Sequence, residues 1–251
     1  MQRYFIDQTA DANQPFSITD QGDIHHITNV MRYQVGDKII INFSNQSVYE
    51  CSIQSINHND IELSLGDSIN IDTELPQHIT ICSGLIKADK YEWMLQKSTE
   101  LGASAFIAVG MDRSVVKLNE SKLSKKIERW KKIIKEAAEQ SYRLVIPTVS
   151  YQPSIKEVLY DSEQYDYILI AYEDAAKNGE TSNFKTLVQN FKKNDRILII
   201  FGPEGGLSEN EITLTESMSE QIGLGARILR AETAPLYALS AISYEHDLQT
   251  K

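Results

Sequence analysis

Ile197–Leu207 reads ILIIFGPEGGL. An apolar run, with Ile197, Ile199 and Ile200 β-branched, ends abruptly at Gly202-Pro203-Glu204-Gly205-Gly206. This pattern predicts a buried strand, a glycine-rich turn and then a helix. Glycines at 202, 205 and 206 permit positive φ and let a ligand come close to the backbone. Just beyond the turn, Ser208 and Glu211 have the S-x-x-E spacing of a capping box, and Leu207 and Ile212 occupy the staple positions around it.

The charge on this turn argues against a phosphate cradle, which wants a bare, positive helix N-terminus. Glu204, Glu209 and Glu211 surround it with negative charge, and no Gly-Lys-Ser/Thr follows. The expected ligand is neutral or cationic and is held by backbone groups. The plain alternative is a turn that binds nothing. A second stretch, Leu224–Tyr237, LGARILRAETAPLY, favours a site. Gly223 and Gly225 begin a dinucleotide fingerprint, but Ile228 stands where the third glycine belongs, so G-x-G-x-x-G fails. A loop carrying Arg227 and Arg230 follows, then Thr233 as N-cap, Pro235 in the first turn and a helix to about Leu248. Ala238, Ser240, Ala241 and Ser243 are small enough for this helix to pack closely on another element.

Upstream, the periodicities change once. Residues 1–72 read as a small β-barrel: Lys38–Phe43 is apolar, Tyr49, Cys51 and Ile53 alternate with polar residues, and so do Ile61, Leu63 and Leu65. Ile71–Pro76 is a linker. Strands are then expected at Ile79–Ser83, Phe106–Val109, Val145–Val149, Tyr167–Ala171 and Ile197–Phe201, separated by helical segments that include Asp89–Leu101. This order implies a mostly parallel sheet covered on both faces, with ligands beyond the C-terminal strand ends. Ser121–Gln140 is a basic amphipathic helix. Lys122, Lys125, Lys126, Arg129, Lys131, Lys132 and Lys135 face a single Glu128 between residues 122 and 135. It serves either as a solvated face or as a phosphate contact.

Composition sets the outer bounds. A chain of 251 residues is long enough for one large or two modest domains. Cys51 and Cys82 are the only cysteines, too few for a disulfide framework and without metal-ligand spacing. His25 and His26 lack partners at ligand spacing, so no metal is expected. The N-terminus MQRYFID has no apolar signal core, and no run approaches the ~18 apolar residues of a membrane span. A soluble, cytoplasmic protein is expected. The net charge of −10 opposes indiscriminate nucleic-acid binding, so an RNA partner would need a local basic patch.

The stretches FGPEGGLS (Phe201–Ser208) and LGARILRAETAPLYALSAI (Leu224–Ile242) resemble the two C-terminal motifs of the RsmE-type SPOUT RNA methyltransferases. HHITNVMRYQVGD (His25–Asp37), DRSVVK (Asp112–Lys117) and EAAEQSYRLVIP (Glu136–Pro147) are similar to further motifs of that family, so the resemblance covers most of the chain. It implies a trefoil-knotted α/β domain over residues 73–251 that binds S-adenosylmethionine, behind a PUA-like RNA-binding barrel over residues 1–72. It implies methylation of N3 of a uridine in 16S ribosomal RNA of the small subunit, by a homodimer. Three loops would enclose the cofactor: Ile170, Ala171 and Glu173; Phe201, Gly202, Pro203, Glu204, Gly205 and Gly206; and Leu224, Gly225, Ile228 and Leu229 with Thr233 and Ala234. Arg3, Arg32, Tyr33, Arg113, Gln140 and Arg143 would face RNA or the partner subunit.

The chemistry agrees with that reading. Backbone N–H and C=O groups of glycine-rich loops can read adenine, and a positive sulfonium tolerates nearby carboxylates. Uridine N3 is a poor nucleophile until its proton leaves, and the charge then spreads over O2 and O4. A guanidinium there would stabilise the anion. Arg230 is the first candidate, Arg227 the second, and Glu232 is either a base or a helix cap. Two rivals stand against this reading: a nucleotide-dependent dehydrogenase, weakened by the broken glycine fingerprint, and a catalytically silent RNA-binding or ribosome assembly factor, which has no need of the two C-terminal motifs.

Overall fold

The computed structural model of the chain describes residues 1–11, 16–116, 118, 120–172 and 182–248. The chain divides into two compact units, the first formed by Met1–Glu74 with Ala138–Val145 and the second by Leu75–Ala137 with Ile146–Lys251.

In the first unit, β1 (Arg3–Ile6), β2 (Phe16–Ile18), β3 (Lys38–Phe43), β4 (Val48–Ile56) and β5 (Ile61–Ser68) form one sheet in the order β1-β3-β4-β5-β2. β3, β4 and β5 are antiparallel neighbours, whereas β1 runs parallel to β3. Register shifts between Tyr49 and Cys51 and between Ile53 and Ser55 curl the long β4 strand. The inward residues Tyr4, Ile39, Ile41, Phe43, Cys51, Ile53 and Ile61 are almost fully buried. Each such aliphatic or aromatic side chain contributes roughly 1.5–3 kcal/mol of burial. Helix α1 (Gln21–His25) is capped by the Asp20 carboxylate and continues as a π-turn over His26–Val30.

In the second unit, β6 (His78–Gly84), β7 (Ala105–Val109), β8 (Thr148–Gln152), β9 (Tyr167–Ala171), β10 (Arg196–Phe201) and β11 (Glu220–Ile222) pair in parallel in the order β11-β9-β10-β6-β7-β8. Helices α2 (Ala88–Glu100), α3 (Glu120–Gln140), α4 (Ile155–Leu159), α5 (Asn183–Asn190), α6 (Glu209–Thr215) and α7 (Ala234–Ser243) connect and cover them. Leu198 and Ile200 join one buried cluster, and Ile197, Ile199 and Phe201 join the other. A strand buried on both faces needs this unbroken apolar run.

The chain lays down β6, β7 and β8 in one direction, returns to place β9 on the other side, and inserts β10 between β9 and β6. That reversal opens a crevice beyond the strand ends. The expected strand at Val145–Val149 lies instead at Thr148–Gln152. Pro147 has no N–H to give a ladder, and Leu144 packs with Ile40 and Val48 in the first unit. In α7 the small Ala238 is buried beside Leu239 and Ile242 in the core cluster that also holds Tyr91 and Met94 of α2. No helix among the described residues is long and apolar enough to cross a membrane.

Arg3 and Arg143 correct the expectation of an RNA-facing surface, for both are buried within the first unit at 3% exposure. The Arg3 guanidinium donates to the Tyr142 carbonyl at 3.0 Å and lies 4.7 Å from the centre of its ring. Arg143 Nε lies 2.9 Å from both carboxylate oxygens of Glu74, and Arg143 Nη2 also binds Glu74. The Leu144 N–H donates to Glu74 at 2.7 Å, and Asn42 donates to the Arg143 carbonyl at 2.6 Å. Arg32 takes a positive φ of 57° at the exit of the π-turn, and Tyr33 packs partly on the core of the sheet.

On α3, Trp130, Ile134 and Ala137 are buried as the spacing predicts. Arg129 binds Glu92 of α2 at 2.6 and 2.7 Å, and Lys131 pairs with Glu128 at 2.9 Å. Lys122 and Lys125 stand exposed. Gln140 closes the helix, in the part of it that belongs to the first unit. Such exposed pairs contribute ~0–1 kcal/mol each, so the charge on this face serves stability little.

Candidate active site

A cavity of about 610 Å³ opens beyond the C-terminal ends of β9, β10 and β11. Its walls come from the ends of those strands, the Gly202–Leu207 turn and the Leu224–Glu232 loop. The sequence explains why backbone, not bulk, shapes it. Gly206 has φ 72° and Gly225 φ 90°, in the region that disfavours side chains. A Cβ on Gly202 would lie 3.0 Å from the Gly206 carbonyl carbon, so any larger residue there would push the backbone of the turn apart.

The turn is held from below by its helix. Ser208 caps α6: its Oγ accepts the Glu211 N–H, and Glu211 Oε2 accepts the Ser208 N–H at 2.8 Å. Leu207 and Ile212 pack into the same apolar cluster. The other Glu211 oxygen accepts the Asp112 N–H at 2.9 Å, and Ser208 Oγ donates to Asp112 at 2.6 Å. Glu211 is therefore a buried structural clamp and not part of an acidic ring around the ligand. Ser208→Ala removes both roles of the hydroxyl. It is expected to lower unfolding free energy by about 1 kcal/mol, within the range for lost helix caps, as measured by urea denaturation.

Of the residues expected at the cofactor, Ala171, Phe201, Gly202, Pro203, Glu204, Gly205 and Gly206 line the cavity. So do Leu224, Gly225, Ile228, Leu229 and Ala234. Ile170 does not; it is fully buried within β9. Thr233 sits at the N-cap position of α7, and its N–H donates to the Arg230 carbonyl at 2.8 Å. Glu173 lies outside the described residues. Arg227, Arg230 and Glu232 lie together on the Leu224–Glu232 loop, and Arg113 also lines the cavity, where it donates to the Gly205 carbonyl at 3.4 Å.

Lys90, on the first turn of α2, also lines the cavity, and the sequence reading missed it. Its ammonium group lies 3.0 Å from Glu232 Oε1. Burial pushes the Glu232 carboxyl upward, but its own backbone N–H, the Lys90 hydrogen bond and charge, and the Arg230 charge outweigh that, and the net shift is downward. With Lys90, Arg113, Arg227 and Arg230 facing Glu204, Glu209 and Glu232, the cavity carries both signs of charge. No cluster of three or more His, Cys, Asp or Glu that could hold a metal occurs among the described residues.

This geometry can hold a planar base against backbone groups, accept charge of either sign at its rim and exclude water at its floor. The comparisons with known proteins point the same way. The family model described as the PUA domain of RNA methyltransferases matches residues 18–66. The chain is 48% identical over 252 residues to ribosomal RNA small subunit methyltransferase E of Bacillus subtilis, covering 99% of this chain and 98% of that one. It is 30% identical to the protein of the same name from Synechocystis, covering 88% and 70%. The crystal structure of ribosomal RNA small subunit methyltransferase E from Neisseria gonorrhoeae, bound to S-adenosyl methionine, superposes with a TM-score of 0.82 at 26% identity over 97% of each chain. The family model of the RNA methyltransferase domain matches residues 73–243, a span that takes in all six parallel strands and every wall of the cavity, and the chain belongs to that RNA methyltransferase family.

Proposed function

We propose that this protein transfers the methyl group of S-adenosylmethionine to N3 of a uridine in 16S ribosomal RNA of the small ribosomal subunit. The observation that carries this reading is the cavity at the strand ends, walled by two glycine-shaped loops and reached by three arginines. Its chemistry fits the cofactor. The Gly202–Gly206 turn and the Leu224–Leu229 loop offer backbone donors and acceptors to adenine, and Glu204, Glu209 and Glu232 suit a cation. The names of the relatives, as small subunit ribosomal RNA methyltransferases, and the S-adenosyl methionine bound in the Neisseria structure support the same assignment.

When bound, the cofactor supplies a methyl group activated by a positive sulfonium. The protein's own work is to bind, orient and exclude water. Arg230 and Arg227 line the cavity, and in this proposal they meet the negative charge that develops on the uracil oxygens once the N3 proton leaves. A guanidinium already aimed at such charge stabilises it without having to reorganise as water does. In the same proposal the first unit engages RNA through its PUA domain, aided by Arg32, Tyr33, Gln140 and the exposed lysines of α3. The knotted backbone path, the cytoplasmic setting and the homodimer belong to it too. Tyr237 at 40% and Tyr244 at 57% exposure leave aromatic surface on the α7 side for a second copy. Sedimentation at micromolar concentration is expected to give a dimer, and a clean monomer would remove that element.

Thermal denaturation with added ligands tests the cofactor assignment. A ligand at about 100 times its Kd stabilises the native state by ~2.7 kcal/mol. S-adenosylhomocysteine is expected to raise Tm by several degrees, whereas NAD and ATP leave it unchanged. Stabilisation by NAD alone would replace the methyltransferase reading with a dehydrogenase.

A further inference from the structure

Glu232 is 8% exposed, and its Oε2 is covered by protein and takes no hydrogen bond. Its other oxygen holds Lys90 at 3.0 Å, and both residues line the cavity. A buried carboxylate oxygen without a donor is costly and calls for an explanation. The Lys90 side chain is 30% exposed, and its ammonium has three protons to give, of which the contact with Oε1 needs one. A fixed cation and a fixed anion thus stand side by side, each with unused hydrogen-bonding capacity. They come from the start of α2 and from the turn before α7, not from the two glycine loops that offer backbone groups.

We propose that the Lys90–Glu232 pair is the subsite for the zwitterionic α-amino-acid end of the cofactor, with Lys90 meeting its carboxylate and the unused Glu232 oxygen meeting its α-ammonium. This rests on the S-adenosylmethionine reading of the cavity and adds two residues to it. Opposed charges held at hydrogen-bond distance complement an α-amino acid, whose ammonium and carboxylate groups are both attached to one carbon. The last torsion of a glutamate is soft, so the carboxylate turns as a whole and either oxygen can meet Lys90 or the ligand. The alternative use, Glu232 as the base for uridine N3, suits the site less well. Burial pushes the carboxyl upward, but its own backbone N–H, Lys90 and Arg230 together lower it, which favours a lasting ion pair over taking up a proton.

Calorimetric titration separates the possibilities. The ligands are S-adenosylhomocysteine and 5′-methylthioadenosine, which keeps the nucleoside and thioether but lacks the amino-acid end. The proteins are the wild type, Lys90→Met and Glu232→Gln. Each variant is expected to lose about tenfold or more in affinity for S-adenosylhomocysteine, a change of ~1.4 kcal/mol. Affinity for methylthioadenosine should stay within about twofold, because the charge-assisted contacts it lacks are the ones removed. An equal loss for both ligands, or none for either, overturns the subsite. So does unchanged affinity with methyl transfer to RNA alone impaired, which would assign the pair to the acceptor. If the wild type binds neither ligand, the cofactor reading itself falls. Should Glu232→Gln fail to fold, Lys90→Met decides the matter, since that side chain is partly exposed on the helix surface.

Discussion

Arg230→Ala is expected to slow single-turnover methyl transfer by about 10²–10³-fold, the loss typical of removing one group that stabilises transition-state charge. Affinity for S-adenosylhomocysteine should change by no more than a few-fold. Arg230 is exposed on the cavity wall, while its carbonyl is engaged by the N–H groups of Thr233 and Ala234. The backbone is therefore fixed by the start of α7, and the side chain is free to act on the acceptor. Arg230→Lys keeps the charge but loses the planar fork, and an intermediate rate is expected. Calorimetry and rapid-quench assays read the two quantities separately. Collapse of cofactor affinity with an intact chemical step would move Arg230 from the acceptor to the cofactor. Arg227 shares the wall, so the double variant should lose less than the product of the two single losses.

The second large effect falls on stability. Glu74→Ala removes the carboxylate that receives the Arg143 guanidinium and the Leu144 N–H. Arg143 is 3% exposed and cannot easily find water instead. Breaking one side of a buried pair costs about 3–5 kcal/mol, and here the buried guanidinium loses its carboxylate. Hydrogen exchange of the β3 and β4 amides is the suitable readout, since a chain of two compact units need not unfold in one step. Protection there should fall by about 2–4 orders of magnitude. Unaltered protection would mean that the pair is incidental to the first unit.

Much of the architecture was legible because its signals are local. The apolar run before Gly202 has room for nothing but a strand buried on both faces, and the Ser208–Glu211 box marks the following helix to the residue. The loop glycines stand where positive φ is found, at Gly206 and Gly225. Gly102 likewise follows the end of α2 with φ 98°. What escaped the sequence depends on partners far along the chain. β11 is three residues long and becomes a strand only by pairing with β9. β1 needs β3 beside it in parallel.

Charges were the hardest to place. An arginine reads the same on paper whether it faces solvent or a carbonyl 139 residues away, as Arg3 does with Tyr142. The basic run of α3 marked the helix, yet Arg129 within it is bound to Glu92 on a different helix. Lys90 lies among polar residues of α2 and gave no sign of the site. Only the parallel sheet, by stacking the start of α2 near the start of α7, brings it to Glu232.

The most direct test of the account is to incubate the purified protein with small-subunit ribosomal RNA or the assembled subunit and S-adenosylmethionine carrying a labelled methyl group, and then to digest the RNA to nucleosides for mass spectrometry. The account predicts label in a single nucleoside, 3-methyluridine, and its disappearance in Arg230→Ala. Label on a ribose hydroxyl or on another base, or RNA left unlabelled by a protein that binds the cofactor, would contradict it.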